Sequence, residues 1–87
     1  MKLKDFVKFR KEKFGGVIFD TLREKVFITN ETGSEVLELI EKNYSVEKII
    51  DYMEENYDVE KEELKEEIEK FILILKENSI IEDEDKN

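Results

Sequence analysis

The chain has 87 residues, 45% of them charged, and a formal net charge of −9 at pH 7. A chain of this length forms one domain with one modest core, which leaves little material for a deep catalytic cavity. It contains no Cys and no His, which excludes disulfides, thiolate zinc sites and Ser–His or Cys–His catalysis. Three glycines do not make a phosphate-binding loop. We therefore expect no catalytic activity, no cofactor and no metal site.

The charge is unevenly distributed along the chain. Residues 1–25 hold eight Lys and Arg against four Asp and Glu, whereas residues 26–87 hold seven against twenty. The acidic part repels a phosphate backbone, so nucleic acid is not an expected partner. No apolar run approaches the ~20 residues of a membrane span, and the N-terminus does not have the pattern of a secretory signal. A cytoplasmic location without membrane attachment is expected.

Three strands are predicted first, at residues 6–14, 16–20 and 25–29. The connection at residues 21–24 is short and polar, which is typical of antiparallel neighbours. The pair Gly15 and Gly16 predicts a turn or bulge with unusual backbone angles.

Three helices are predicted next, each from a capping residue followed by apolar residues at spacings of three and four. Thr32 is the candidate cap of the first helix, with Glu35 completing a capping box. Ser45 is the candidate cap of the second helix. Asp58 is that of the third, which runs from about residue 59 to 78. The third helix has a wide apolar face: Leu64, Ile68, Phe71, Ile72, Ile74 and Leu75.

The predicted fold is an α+β domain in which a three-stranded antiparallel sheet is followed by a three-helix bundle, with a winged-helix-like outline. We expect one domain at residues 1–81 and a charged tail at residues 82–87.

The second and third predicted strands are apolar on both faces. Residues 17–19 and 26–28 are consecutive apolar residues, although a half-buried strand should alternate. Either these side chains lie partly exposed, or a partner covers them. A sheet edge is a row of unpaired backbone groups to which an extended peptide can add. The third helix could then form the other wall of a groove beside the third strand.

Three segments of the sequence resemble the PqqD-like family: KFGGVIFD, VFITNETGSEVLELI and YSVEKIIDYMEENYDV. The resemblance runs from about residue 9 to residue 81. Its most specific parts are residues 14–17, the Asn30-x-Thr32-Gly33 entry into the first helix, and residues 57–59. Members of this family are the peptide-recognition domains, or RiPP recognition elements, of ribosomal peptide maturation.

The resemblance implies a non-catalytic, chaperone-like binding role. Such a domain binds the leader of a precursor peptide and presents the peptide to a modifying enzyme, often a radical S-adenosylmethionine protein. The leader adds as a strand beside the third strand, in the groove against the third helix. The peptide-binding residues implied here are Lys25, Val26, Phe27, Ile28 and Thr29 on the strand, and Glu67, Lys70, Phe71 and Ile74 on the helix.

Three alternatives remain at this point. A winged-helix DNA-binding regulator would have the same outline, but the predicted helices are acidic, whereas a recognition helix is usually basic. The domain could instead be an adaptor that docks only onto a partner enzyme. A free strand edge could also pair with a second copy of the chain to give a homodimer.

Overall fold

A computed structural model describes residues 1–83, which form five strands and three helices. In chain order they are β1 (Lys2–Leu3), β2 (Val7–Glu12), β3 (Gly15–Asp20), β4 (Lys25–Thr29), α1 (Glu31–Glu41), α2 (Val46–Asn56), α3 (Lys61–Glu77) and β5 (Ile81–Glu82).

The main sheet is antiparallel with the strand order β2-β3-β4, and the short strands β1 and β5 pair separately. The predicted three-stranded sheet followed by three helices is confirmed, whereas the β1–β5 pair was not predicted. In the predicted charged tail, Glu82 lies in β5 and residues 84–87 lie outside the described residues.

The core lies between the three helices and one face of the sheet, here called the inner face. Val7 and Ile18 reach it from β2 and β3, and Phe9 and Phe27 pack against it in part. The helices contribute the rest of the buried cluster, chiefly Val36, Leu37, Leu39, Ile40, Ile49, Ile50, Met53, Leu64, Ile68, Ile72 and Leu75. No helix within residues 1–83 is long and apolar enough to cross a membrane.

The caps of α1 and α3 differ from the predicted ones. Asn30 caps α1, because its side chain accepts a hydrogen bond from the Gly33 N–H at 2.9 Å. The predicted capping box at Thr32 is wrong, because the chain turns into the helix directly after β4 ends and Thr32 already lies inside it. Asp58 is not the cap of α3, since the helix begins after Glu60 without any side-chain cap bond. Ser45 caps α2 as predicted.

The two adjacent glycines lie in β3 rather than in the turn, which is formed by residues 13–14. Gly15 has φ +147°, and a Cβ atom there would overlap the backbone of Thr29 and Asn30. A side chain is therefore excluded at this position by both conformation and space. The predicted first strand, residues 6–14, was too long at both ends, because β2 runs from Val7 to Glu12 and the turn follows at residues 13–14.

The sheet's other face, here called the outer face, carries alternate residues of each strand. The register aligns Lys8, Phe19 and Val26 in one row, and Arg10, Val17 and Ile28 in the next. None of these six residues belongs to the cluster that the described helices bury. On this face Val26 is 59% exposed and Ile28 66% exposed.

Candidate functional site

The outer edge of β4 has free backbone groups. β4 ends the strand order, and no strand within residues 1–83 pairs with its other side. Register fixes which groups point outward. The Thr21 N–H donates to the Phe6 carbonyl at 2.9 Å, which identifies residues 6 and 21 as a hydrogen-bonded pair.

Hydrogen-bonded and non-hydrogen-bonded pairs alternate along an antiparallel ladder. The odd-numbered residues of β3 therefore bond to β2, and its even-numbered residues bond to β4. Their partners on β4 are Lys25, Phe27 and Thr29. It follows that Val26 and Ile28 direct their N–H and C=O groups toward the free edge.

One face of α3 carries the four residues predicted for the helix wall. Glu67, Lys70, Phe71 and Ile74 are spaced at three, four and seven residues within one continuous helix, which places them on one side of it. The Phe71 ring is partly buried against the core, whereas the other three are exposed, Ile74 by 52%.

β4 and α3 meet at Gly33, the third residue of α1. A Cβ atom at this position would lie 3.0 Å from Cζ of Phe71 and would overlap the side chain of Thr29. The missing side chain thus lets the end of β4 and the Phe71 ring approach the same point. Beside it lies a cavity of about 230 Å³ lined by Asn30, Thr32, Gly33, Val36, Glu67, Ile68 and Phe71.

At the other end of β4, Arg23, in the turn between β3 and β4, contacts the end of α3. Its Nη2 donates to the carbonyl of Asn78 at 3.2 Å, with Ser79 at 3.5 Å, just after α3 ends. Its Nε donates to Oδ2 of Asp20 at 2.7 Å. Because Thr29 lies near Phe71 and Arg23 bonds to Asn78, β4 and α3 run in opposite directions, and the space between them is here called the groove.

Asp20 supports this contact although its side chain is buried. Burial by itself would raise the pKa of the carboxyl. The N–H and guanidinium of Arg23 and the N–H of Leu22 outweigh that effect and lower the pKa below its ordinary value of 3.8. Asp20 is therefore ionised near neutral pH, and it fixes both the turn and the Arg23 side chain.

A separate polar cluster lies on the other side of α1. The Tyr57 hydroxyl donates to Oε1 of Glu35 at 2.9 Å. Burial, with the Glu35 hydrogen bond and charge, raises the pKa of Tyr57 to about 12, so that the hydroxyl remains a donor at neutral pH. This contact joins α1 to the segment that precedes α3. No group of three His, Cys, Asp or Glu residues that could hold a metal ion occurs in the part of the chain that the structure describes.

Of the nine residues predicted to bind the peptide, Glu67 and Phe71 line the cavity beside Gly33. Residues 25–29 form the edge strand, in which Lys25, Phe27 and Thr29 lie on the inner face of the sheet. The four predicted helix residues share one face of α3. Sequence reasoning missed Arg23, Asp20 and Gly33 as parts of the groove. An Asp that opens a polar turn is a signal for a side chain that caps the turn, but nothing in the sequence indicates that Arg23 reaches Asn78.

Together these features define a small α+β domain with a winged-helix-like outline, in which a groove of mixed apolar and polar lining lies beside a free strand edge. Residues 15–81 match the family model described as Coenzyme PQQ synthesis protein D (PqqD). The chain belongs to this family.

Two solved structures have the same fold. TbiB1 in complex with the TbiA(beta) leader peptide aligns with a TM-score of 0.89 and 21% identity, covering 99% of this chain and 100% of that one. Lasso peptide synthetase B1 complexed with the leader peptide aligns with a TM-score of 0.82 and 19% identity, covering 91% and 93%. A comparison with curated proteins gave no match.

Proposed function

We propose that this chain is a non-catalytic recognition domain for the leader of a ribosomally made precursor peptide. The leader adds as a strand at the free edge of β4, in the groove against α3, and the domain presents the peptide to a modifying enzyme. Membership of the PqqD family supports this role, and so does the fold shared with two proteins solved with leader peptides.

The observation that carries the proposal is the state of the β4 edge. Val26 and Ile28 direct hydrogen-bonding groups away from β3, and the inward side of the same strand borders a groove with an apolar wall at Phe71 and Ile74. Main-chain hydrogen bonds supply affinity in strand addition, and pockets for alternate side chains supply specificity. The free edge of β4 offers the main-chain hydrogen bonds, and the groove beside it offers room for alternate side chains.

A titration tests the proposal. The ¹⁵N-labelled domain is mixed with synthetic peptides that cover each small open reading frame beside the gene. We expect saturable amide shifts concentrated at Lys25, Val26, Phe27, Ile28 and Thr29, and on α3 at Glu67, Lys70, Phe71 and Ile74. If none of these peptides binds saturably, or if the shifts are confined to other surfaces, the proposed function is refuted.

A separate maturation enzyme, such as a radical S-adenosylmethionine protein, is the second proposed partner. The immobilised domain should retain the enzyme encoded beside it, and the bound peptide should increase that retention. Retention that does not depend on the peptide would favour the adaptor role instead.

DNA binding and a homodimer are the two other associations that the sequence allows. Neither the family match nor the structural neighbours support a DNA-binding regulator, and the first turn of α3 is acidic, with Glu62 and Glu63. A homodimer through the β4 edge would compete with the peptide for the same backbone groups. Light scattering at increasing protein concentration, with and without peptide, shows whether a homodimer forms and whether the peptide dissociates it.

A further inference from the structure

We infer that the outer face of β4 is a second specificity surface, at which Val26 and Ile28 select apolar side chains at those positions of the added peptide that do not enter the groove. The inference rests on the proposed function, because it assigns a preference to a peptide strand at the same edge. Its occupant is the alternate set of side chains of that one peptide.

Strand geometry places these side chains. Val26 and Ile28 are the two β4 residues whose backbone groups face the free edge, and both side chains project onto the outer face. A residue that pairs directly with either of them projects its side chain onto the same face, with Cβ atoms about 5 Å apart. The next residue along the peptide projects into the groove.

The neighbours of Val26 and Ile28 make this surface apolar. On the β3 side, Val26 is paired with Phe19 and Ile28 with Val17. Val17 is only 7% exposed, and the Arg10 guanidinium lies 5.4 Å from the centre of the Phe19 ring. The outer face is thus already covered at β3, and the first bare apolar positions are those beside the free edge. An added strand with apolar residues there would cover them.

The expected peptide sequence follows directly. If the groove alone selected side chains, apolar residues would alternate along the bound peptide with residues of unrestricted type. A peptide that is read on both faces carries two or more consecutive apolar residues in the paired segment, as β4 itself does at residues 26–28.

Selection from a displayed library of random 12-residue peptides on the immobilised full-length chain tests this inference. The wild-type chain should enrich peptides with consecutive apolar residues. Val26→Thr/Ile28→Thr keeps β-branched side chains at two exposed positions, so the strand should be retained. This variant should lose the preference for apolar residues only at the peptide positions that pair with residues 26 and 28. It should bind the peptides that were enriched on the wild-type chain about three- to tenfold more weakly.

Leu73→Thr is the matched control. Leu73 is also exposed, at 54%, but lies beside Val46 and Glu47 at the start of α2. It should leave the enriched pattern unchanged. The single variants Val26→Thr and Ile28→Thr, checked by circular dichroism, replace the double variant if it unfolds.

Failure of the outer-face preference and failure of peptide binding itself give different results. Enrichment of strictly alternating peptides, or an unchanged pattern in the double variant, would overturn this inference and leave groove binding intact. A stable dimer of the free chain that buries Val26 and Ile28 would also overturn it. Failure to enrich any peptide, together with no saturable shifts in the titration, would overturn the proposed function as well.

Discussion

At the scale of single residues, Asp20 connects the turn between β3 and β4 to the end of α3. The carboxylate accepts hydrogen bonds from Leu22 and Arg23, and Arg23 in turn donates to Asn78. The pKa of Asp20 is lowered in the folded state. A group of this kind stabilises the fold above its unfolded pKa, and that contribution is lost as the pH falls through the folded pKa.

We therefore predict that Asp20→Asn lowers the urea midpoint of unfolding near neutral pH, and that the difference from wild type narrows from about pH 5 to about pH 3. Asp5→Asn, at an exposed aspartate, is the control and should change the midpoint little at any pH. A difference between Asp20→Asn and wild type that stays constant over this range would show that charge at Asp20 is not what supports the turn.

Gly33 offers a second residue-scale prediction. A Cβ atom there overlaps Thr29 and comes within 3.0 Å of the Phe71 ring, so Gly33→Ala should narrow the groove where β4 and α3 meet. Because overpacking is partly offset by the higher helix propensity of Ala, we expect destabilisation of about 1 kcal/mol, together with weaker peptide binding.

Chemical denaturation and the peptide titration measure the two effects of Gly33→Ala. Thr29→Ala in the Gly33→Ala background removes the overlapping atoms and should recover most of the lost stability. If the double variant is no more stable than Gly33→Ala alone, contact with Thr29 is not the reason for glycine at this position.

At the scale of elements, two neighbouring backbone N–H groups of β4 point to opposite sides of the strand. The Ile28 N–H faces the free edge, whereas the Phe27 N–H bonds to β3. Ile28→Pro should therefore leave the sheet folded and weaken peptide binding by about tenfold or more, since it removes a donor and places a ring at the edge. Phe27→Pro is the matched control, because it breaks the ladder to β3 and should unfold the sheet.

Circular dichroism and the peptide titration together measure both proline variants. Binding of wild-type strength by a folded Ile28→Pro variant would exclude strand addition at this edge.

The elements also show what the sequence could and could not predict. The bounds of β4 and the Ser45 start of α2 follow from local pattern and capping, so they were predicted correctly. The two-residue strands β1 and β5 are too short to have a period. The direction of the Val26 and Ile28 backbone groups depends on register carried across the whole sheet from β2. The Asn30 cap was missed because Thr32 offers an equally good local pattern two residues later.

At the scale of the whole molecule, the β1–β5 pair joins the two ends of the described chain and holds the segment that follows α3. Leu3 pairs with Ile81, and Ile80 and Ile81 are each 2% exposed. Glu82 lies 3.8 Å from Lys2 and from Lys4, but these ion pairs are partly exposed. Apolar burial should therefore dominate this contact, since exposed ion pairs contribute little.

We predict that Ile81→Ala lowers the free energy of unfolding by about 3 kcal/mol, whereas Glu82→Gln lowers it by less than about 1 kcal/mol. In a domain whose total stability is of the order of 5–15 kcal/mol, the first change is a large part of the whole. Arg23 donates hydrogen bonds to the carbonyls of Asn78 and Ser79, shortly before this pair. Because these bonds position β4 against the end of α3, Ile81→Ala should also weaken peptide binding. Urea unfolding and the titration measure both effects. Equal losses from the two substitutions would mean that charge, rather than burial, joins the ends of the chain.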